Sequence, residues 1–277
     1  MRVGYLGPEG TYSHEAVMAT PGAEDFELAP LPTVHETVMA VHERSVDRAL
    51  VPIENSLEGS VNPTLDTLAS GTADVAIVGE AVHAISHCLI ARRAMDLEEI
   101  ETIVSHPQAS AQCARFLREQ LGAAAVVPAT STAEAVRQVT DADGALAALG
   151  NRLAARIYGG EVLRDGVEDL EGNATRFVWL APAGETVQGE GPWKTSIVFW
   201  GAGDTAPGWL VRCLSEFAFR GVNLTMIESR PRRLALGHYM FFADLEGAGD
   251  DAPVAEAIAG LQEQAETVRV LGSYPVA

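Results

Sequence analysis

Short apolar runs alternate with helical patterns through the first 180 residues. Clusters of Val, Ile, Leu and Ala bounded by turn residues predict strands at 2–6, 48–53, 75–82, 87–91, 102–105, 124–129, 144–149 and 176–181. Between them, apolar positions at helical spacing predict helices at 13–20, 34–44, 110–122, 131–140 and 151–159. This alternation implies an α/β fold with largely parallel sheets. The stretch is long enough to form two lobes with a cleft between them.

From 181 to 193 the chain loses its period and turns rich in Gly, Pro and Glu, as a linker does. A compact unit follows. It contains a strand at 195–201 and a helix at 207–221, with Leu210, Cys213, Leu214 and Phe217 at helical spacing and Gly221 as its stop. Strands at 223–231 and 237–247, a helix at 253–265 and a last strand at 268–274 complete it. The order β-α-β-β-α-β is the ferredoxin-like arrangement. The expected domains are therefore 1–182 and 194–277, joined by a linker at 183–193.

A formal net charge of −19 over 277 residues argues against nucleic acid and anionic membranes, which want Lys/Arg patches. No apolar run approaches the ~18 to 20 residues of a membrane helix. The first residues enter a strand and a turn without a signal-peptide pattern, so the expected compartment is the cytoplasm. Cys88, Cys113 and Cys213 are odd in number and far apart, which suits free buried thiols in a reducing compartment. His83 and His87 would suit a metal on a helix, but the run around them reads as a strand, which would hold the rings ~13 Å apart. Lys194 is the single lysine, and its GEGPWKTS setting at the linker edge suits neither a P-loop nor a Schiff base.

Four polar clusters punctuate the first domain. In GPEGTYSHEA, two glycines turn the chain and Thr11 and Ser13 precede a helix, as in an anion site at a helix start or a turn capped by Ser13. In VPIENSLEGSVNPTLDTL, a strand ends in Asn55, Ser56 and Gly59 before a helix with Asn62 as cap and Pro63 at its first position. In IVSHPQASAQ, Ser105 and His106 precede a helix opened by Pro107, with Gln108 next. In LEGNATRFVWL, Thr175 and Arg176 stand at the mouth of an apolar strand that begins with Phe177. Hydroxyls, amides and backbone donors dominate these loops, and Arg176 is the only arginine in them. The set suits a small carboxylate in a dry cleft.

GPEGTYSHEA, VPIENSLEGSV, SHPQA and NATRF resemble, in this order, the motifs of prephenate dehydratases, and ESRP resembles the phenylalanine-sensing ACT domain attached to them. The resemblance runs from Val3 to about Tyr274. It implies a two-lobed catalytic domain similar to periplasmic binding proteins, followed by a ferredoxin-like ACT domain. It also implies conversion of prephenate to phenylpyruvate without metal or organic cofactor. Thr175 would be catalytic, Arg176 would hold a substrate carboxylate, and Phe177 would pack near the ring. Thr11, Ser13, Asn55, Ser56, Gly59, His106 and Gln108 would contact substrate. L-Phenylalanine would bind between subunits of a homodimer or homotetramer, at Gly208, Leu210, Asn223, Glu228, Ser229 and Arg230. Pro231 also matches, whereas Trp209 stands where the family has alanine and either points outward or reshapes that pocket. Arogenate is the rival substrate. A sensor with no turnover is the rival of another class.

Overall fold

The computed structural model describes residues 1–201 and 206–277. Three sheets organise them. The first runs β2 (Glu27–Leu31), β1 (Arg2–Leu6), β3 (Arg48–Asn55), β11 (Ala174–Pro182), β5 (Val75–Ala84), with β4 (Gly59–Ser60) paired to β3. The second runs β10 (Glu161–Arg164), β6 (Cys88–Ala91), β9 (Leu146–Gly150), β7 (Thr102–Ser105), β8 (Ala125–Pro128). The third, β13 (Leu224–Pro231), β14 (Tyr239–Glu246), β12 (Trp193–Trp200), β15 (Thr267–Pro275), is antiparallel throughout. The chain passes from first to second sheet after β5 and returns through β11, which makes two lobes.

The first two sheets are mixed, not largely parallel. β11 runs antiparallel to both β3 and β5, and β6 antiparallel to β9 and β10. The strands that carry the chain between lobes cause this, because a strand entering from the other lobe arrives in the opposite sense. β2 and β10 are strands that periodicity does not announce. Both lie on sheet edges, only partly buried, and Pro30 is tolerated in β2 for that reason.

Helices cover these sheets. In the first lobe they are α1 (Tyr12–Met18), α2 (Val34–His42) and α3 (Asn62–Ala69). The second lobe has α4 (Pro107–Gln112), α5 (Ala114–Gln120), α6 (Thr132–Asp141) and α7 (Arg152–Tyr158). Thr11, Thr33, Ser131 and Asn151 each accept a backbone N–H from three residues on, and so start α1, α2, α6 and α7. The cap of α1 is thus Thr11, not Ser13. Val61, not Asn62, precedes α3, leaving Asn62 inside its first turn with Pro63 after it.

One face of the third sheet carries α8 (Trp209–Ala218) and α9 (Ala252–Gln264), closing a core of Ile197, Phe199, Cys213, Phe217, Leu245 and Leu261. Its other face lies on the first sheet. Val198, Phe242, Leu271 and Tyr274 share one continuous core with Ile77, Val178 and Leu180. Approach is so close at Gly272 that any Cβ there would collide with the Ile77 carbonyl. Cys88, Cys113 and Cys213 are free and buried. No helix among the described residues is long and apolar enough to cross a membrane.

Candidate active site

A cleft of about 320 Å³ opens between the lobes, in the size range of small-molecule sites. Thr11, Tyr12, Ser13, Asn55, Thr175 and Phe177 form its first-lobe wall. His106, Gln108, Gln112 and the stretch Thr130, Ser131 and Thr132 face them from the second lobe, with His87 and Asn173 from the connecting segments. None of these lining residues is Lys, Arg, Asp or Glu. The N-terminal ends of α1, α4 and α6 meet here, so the polarity of the cleft comes from hydroxyls, amides and backbone N–H groups.

Asn55 organises the first-lobe wall. Its Oδ1 accepts the N–H groups of Leu57 and Glu58, both at 3.0 Å, in the turn from Asn55 to Gly59. That fixes the amide orientation, so Nδ2 must donate. It donates to Thr175 Oγ at 3.0 Å and to Asn173 Oδ1 at 2.7 Å. With a lone pair of Oγ so engaged, the Thr175 hydroxyl proton is left for a group in the cleft. Asn173 Nδ2 continues to Gln112 Oε1 at 3.2 Å, and His87 Nε2 lies 2.9 Å from the same oxygen. The Tyr12 hydroxyl sits 2.7 Å from His87 Nδ1 and 2.8 Å from the Ser86 carbonyl. Burial lowers the pKa of His87 and raises that of Tyr12, which keeps both neutral near pH 7.

Ser56 and Gly59 do not line the cleft. Ser56 Oγ accepts from Ala174 N at 3.0 Å and its own N–H donates to the Ala174 carbonyl, which pins the start of β11. Gly59, at φ 82°, closes the turn opposite Asn55. His106 caps α4, its Nδ1 accepting from Gln108 N at 3.3 Å, and its ring still borders the cleft. Phe177 is 1% exposed and lies in a core with Val3, Tyr5 and Leu50, so it forms the cleft's floor.

Arg176 departs from its expected place. Successive side chains of a strand point to opposite faces. With Thr175 and Phe177 on the cleft face, Arg176 faces the third sheet. There Nε donates to Glu54 at 3.0 Å, Nη1 to Glu80 at 3.3 Å, and Nη2 lies 2.7 Å from Asp244 of β14. Burial works against the charge, but Asp244, Tyr274, Glu54 and Glu80 outweigh it and raise the guanidinium's pKa. The guanidinium cannot reach a ligand in the cleft from here. Lys194, expected at a linker edge, is buried on β12 and donates to Glu80 at 2.8 Å.

The third unit separates its motif residues too. Gly208 and Leu210 line a hollow of about 210 Å³ with Trp209, Tyr239 and Phe241. Glu228 and Arg230 do not line it. β13 turns them toward the first lobe, where Glu228 meets Ser60 at 3.0 Å and Arg230 grips Asp66 through two bonds of 2.9 Å. Ser229, between them, is exposed on the other face. Asn223 is exposed, and its carbonyl accepts from Glu246 N. Trp209 points inward. It is 3% exposed, packs on Phe199 and Phe241, and donates Nε1–H to the Gln264 carbonyl at 2.7 Å.

Motif reading missed Tyr12, His87, Gln112, Asn173 and the 130–132 stretch. His87 had a visible signal, a polar residue directly before the wholly apolar strand 88–91.

Comparison with known proteins gives a consistent picture. Residues 3–185 match the family model described as prephenate dehydratase. A prephenate dehydratase of Mycobacteroides abscessus is 41% identical over 281 residues, covering 99% of this chain and 90% of that protein. The crystal structure of prephenate dehydratase from Arthrobacter aurescens in complex with L-Phe superposes with a TM-score of 0.92 at 38% identity, over 99% of this chain and 90% of that one. GqqA, described as a novel type of quorum-quenching acylase, superposes with a TM-score of 0.86 at 32% identity, over 100% of this chain and 98% of its own.

Proposed function

The chain belongs to the prephenate dehydratase family, and on that premise we propose that the interlobe cleft binds prephenate and that Thr175 serves its departing hydroxyl. The reaction consumes one proton. The carboxylate on the ring leaves as CO2, its electron pair moves through the diene, and the C4 hydroxyl leaves as water while the ring becomes aromatic. That hydroxyl leaves poorly unless it receives a proton or a strong hydrogen bond. The observation that carries the assignment is the Asn55–Thr175 contact, which commits the Thr175 oxygen as acceptor and frees its hydrogen for the cleft.

The other roles follow from what each group can donate. Two carboxylates enter a cleft without arginine or lysine, so the ends of α1 and α6, with Ser13 and Ser131, are the natural partners, while the Thr11 hydroxyl is held by the Leu6 carbonyl and caps α1. His106 and Gln108 offer donors from the second lobe. Phe177 and Pro52 supply an apolar floor for the ring. An acylase would instead need a base to take a proton from its nucleophile. Among the described residues, the side-chain partner of the Thr175 hydroxyl is an amide N–H, which takes none.

The L-Phe complex of the Arthrobacter protein supports L-phenylalanine as a ligand of the third unit here, near Gly208 and Leu210. Exposed Val211, Phe219 and Ile227 support assembly of copies through that unit. Phenylpyruvate formation from prephenate by the purified protein and by Thr175→Ala, each with and without L-phenylalanine, tests both readings. Fast wild-type turnover, lost in the variant and suppressed by L-phenylalanine, is the expected result. Turnover of arogenate in place of prephenate would replace the substrate. Turnover of neither would leave a sensor.

A further inference from the structure

The ionic cluster around Arg176 lies directly behind the Asn55–Thr175 pair, one residue away on both strands. In the β3–β11 ladder Thr175 is paired with Asn55 and Arg176 with Glu54, but Phe177 is paired with Pro52. Ile53 is therefore an extra residue, a bulge. Its consequence is large. Ala49, Val51 and Ile53 all point into the core shared with the third sheet. Strict alternation would send Asn55 the same way. The bulge reverses the phase, turning Glu54 toward the third sheet and Asn55 toward Thr175.

Arg176 grips the bulge from behind. It ties Glu54, just past the extra residue, to Glu80 of β5 and Asp244 of β14. Asp244 is 1% exposed and is itself fixed by Ser196 Oγ at 2.6 Å, with the Tyr274 hydroxyl 2.8 Å from that oxygen. Glu80 is shared with Lys194. The anchor of the arrangement is thus on the third sheet, while its effect falls on the cleft.

We propose that the Arg176–Glu54 ion pair, anchored by Asp244, is a positioning device for the reaction: it holds the β3 bulge in register so that Asn55 stays aimed at Thr175. Arg176 acts through Glu54 and touches no substrate. The third sheet thereby completes the geometry of a cleft to which it contributes no lining residue. This inference rests on prephenate dehydration being the reaction of the cleft.

The test is steady-state kinetics on the full-length chain, comparing wild type with Asp244→Asn, Asp244→Glu, Glu54→Gln and the Asp244→Asn/Glu54→Gln pair, with folding checked by circular dichroism. Loss of aim at Thr175 is expected to lower kcat about tenfold in Asp244→Asn and in Glu54→Gln, with KM within about twofold. The double variant should match the worse single one, because both break one chain of contacts. Asp244→Glu, which keeps the charge, should recover part of the loss. Wild-type kcat in folded Asp244→Asn overturns the inference. So does a rise in KM at unchanged kcat, which would place the cluster in substrate binding. Should Asp244→Asn fail to fold, the half-exposed Glu54→Gln decides by the same two outcomes. Wild-type turnover with unaffected variants refutes only this coupling, whereas absence of wild-type turnover overturns the dehydratase reading and the coupling together.

Discussion

The two faces of the first sheet solve opposite problems with adjacent residues. On the cleft face, Asn55 and Thr175 meet among hydroxyls and amides with no lysine, arginine or carboxylate lining the space. On the opposite face, Glu54 and Arg176 meet among buried acids and a lysine. The contrast sets buried ion pairs made within the protein on one face against a cleft lined by neutral dipoles on the other. Neutral dipoles can hold a dianion in a dry cleft without a countercharge that would have to be desolvated. An ion cluster can hold a backbone irregularity that no apolar packing would specify.

The strongest challenge to this contrast is Arg176→Met. It would leave Asp244 buried without its cationic partner and Glu80 with Lys194 alone, so the expected loss of stability is about 3–5 kcal/mol, read from urea denaturation. Thr175→Ala should do the reverse. Its kcat should fall by about 10²-fold or more, while its stability should change by less than about 1 kcal/mol. If Thr175→Ala proved the destabilised protein and Arg176→Met only the slow one, the two faces would have been assigned the wrong way round.

Smaller changes sharpen the picture. Lys194→Gln keeps a donor for Glu80 but removes a charge, and Arg176 still reaches that acid, so the expected cost is about 1–2 kcal/mol by the same denaturation. The cleft face has a titration of its own. His87 and His14 have pKa values lowered by burial. As pH falls below about 6.5, the unfolded chain takes up protons there while the folded chain resists them. Stability present above that pH is therefore lost as pH drops toward the folded values, and His87→Gln should flatten part of the dependence of Tm between about pH 7 and 5.

Much of this was legible in the chain. Period and punctuation placed most strands and helices, the order of the third unit, and the clusters at strand ends. Thr11, Ser13, Asn55, His106, Gln108, Thr175 and Phe177 do meet in one cleft. What was not legible was which face each residue takes. The resemblance makes Arg176 a carboxylate anchor, whereas its actual partners are acids distant in sequence. The bulge at Ile53 has no local signature, yet it decides where Asn55 points. Glu228 and Arg230 lie on one strand with Ser229, and only the docking of that strand on the first lobe shows that they turn away from the hollow at Gly208. Edge strands β2 and β10 escaped because their burial is too slight to impose a pattern.

The contact at Gly272 has a bearing on how such chains can be recombined. A regulatory unit grafted from another protein is usually chosen to match at the linker. Here a graft would also need a residue without a side chain at 272, where the two backbones touch, and an acid at 244 opposite Arg176. A graft lacking the first would stand off from its host, and one lacking the second would leave Arg176 to Glu54 and Glu80 alone. The two units are joined in sequence by a short spacer, and in space by a seam of close backbone contact and buried charge. Compatibility of exchanged parts should be screened at that seam.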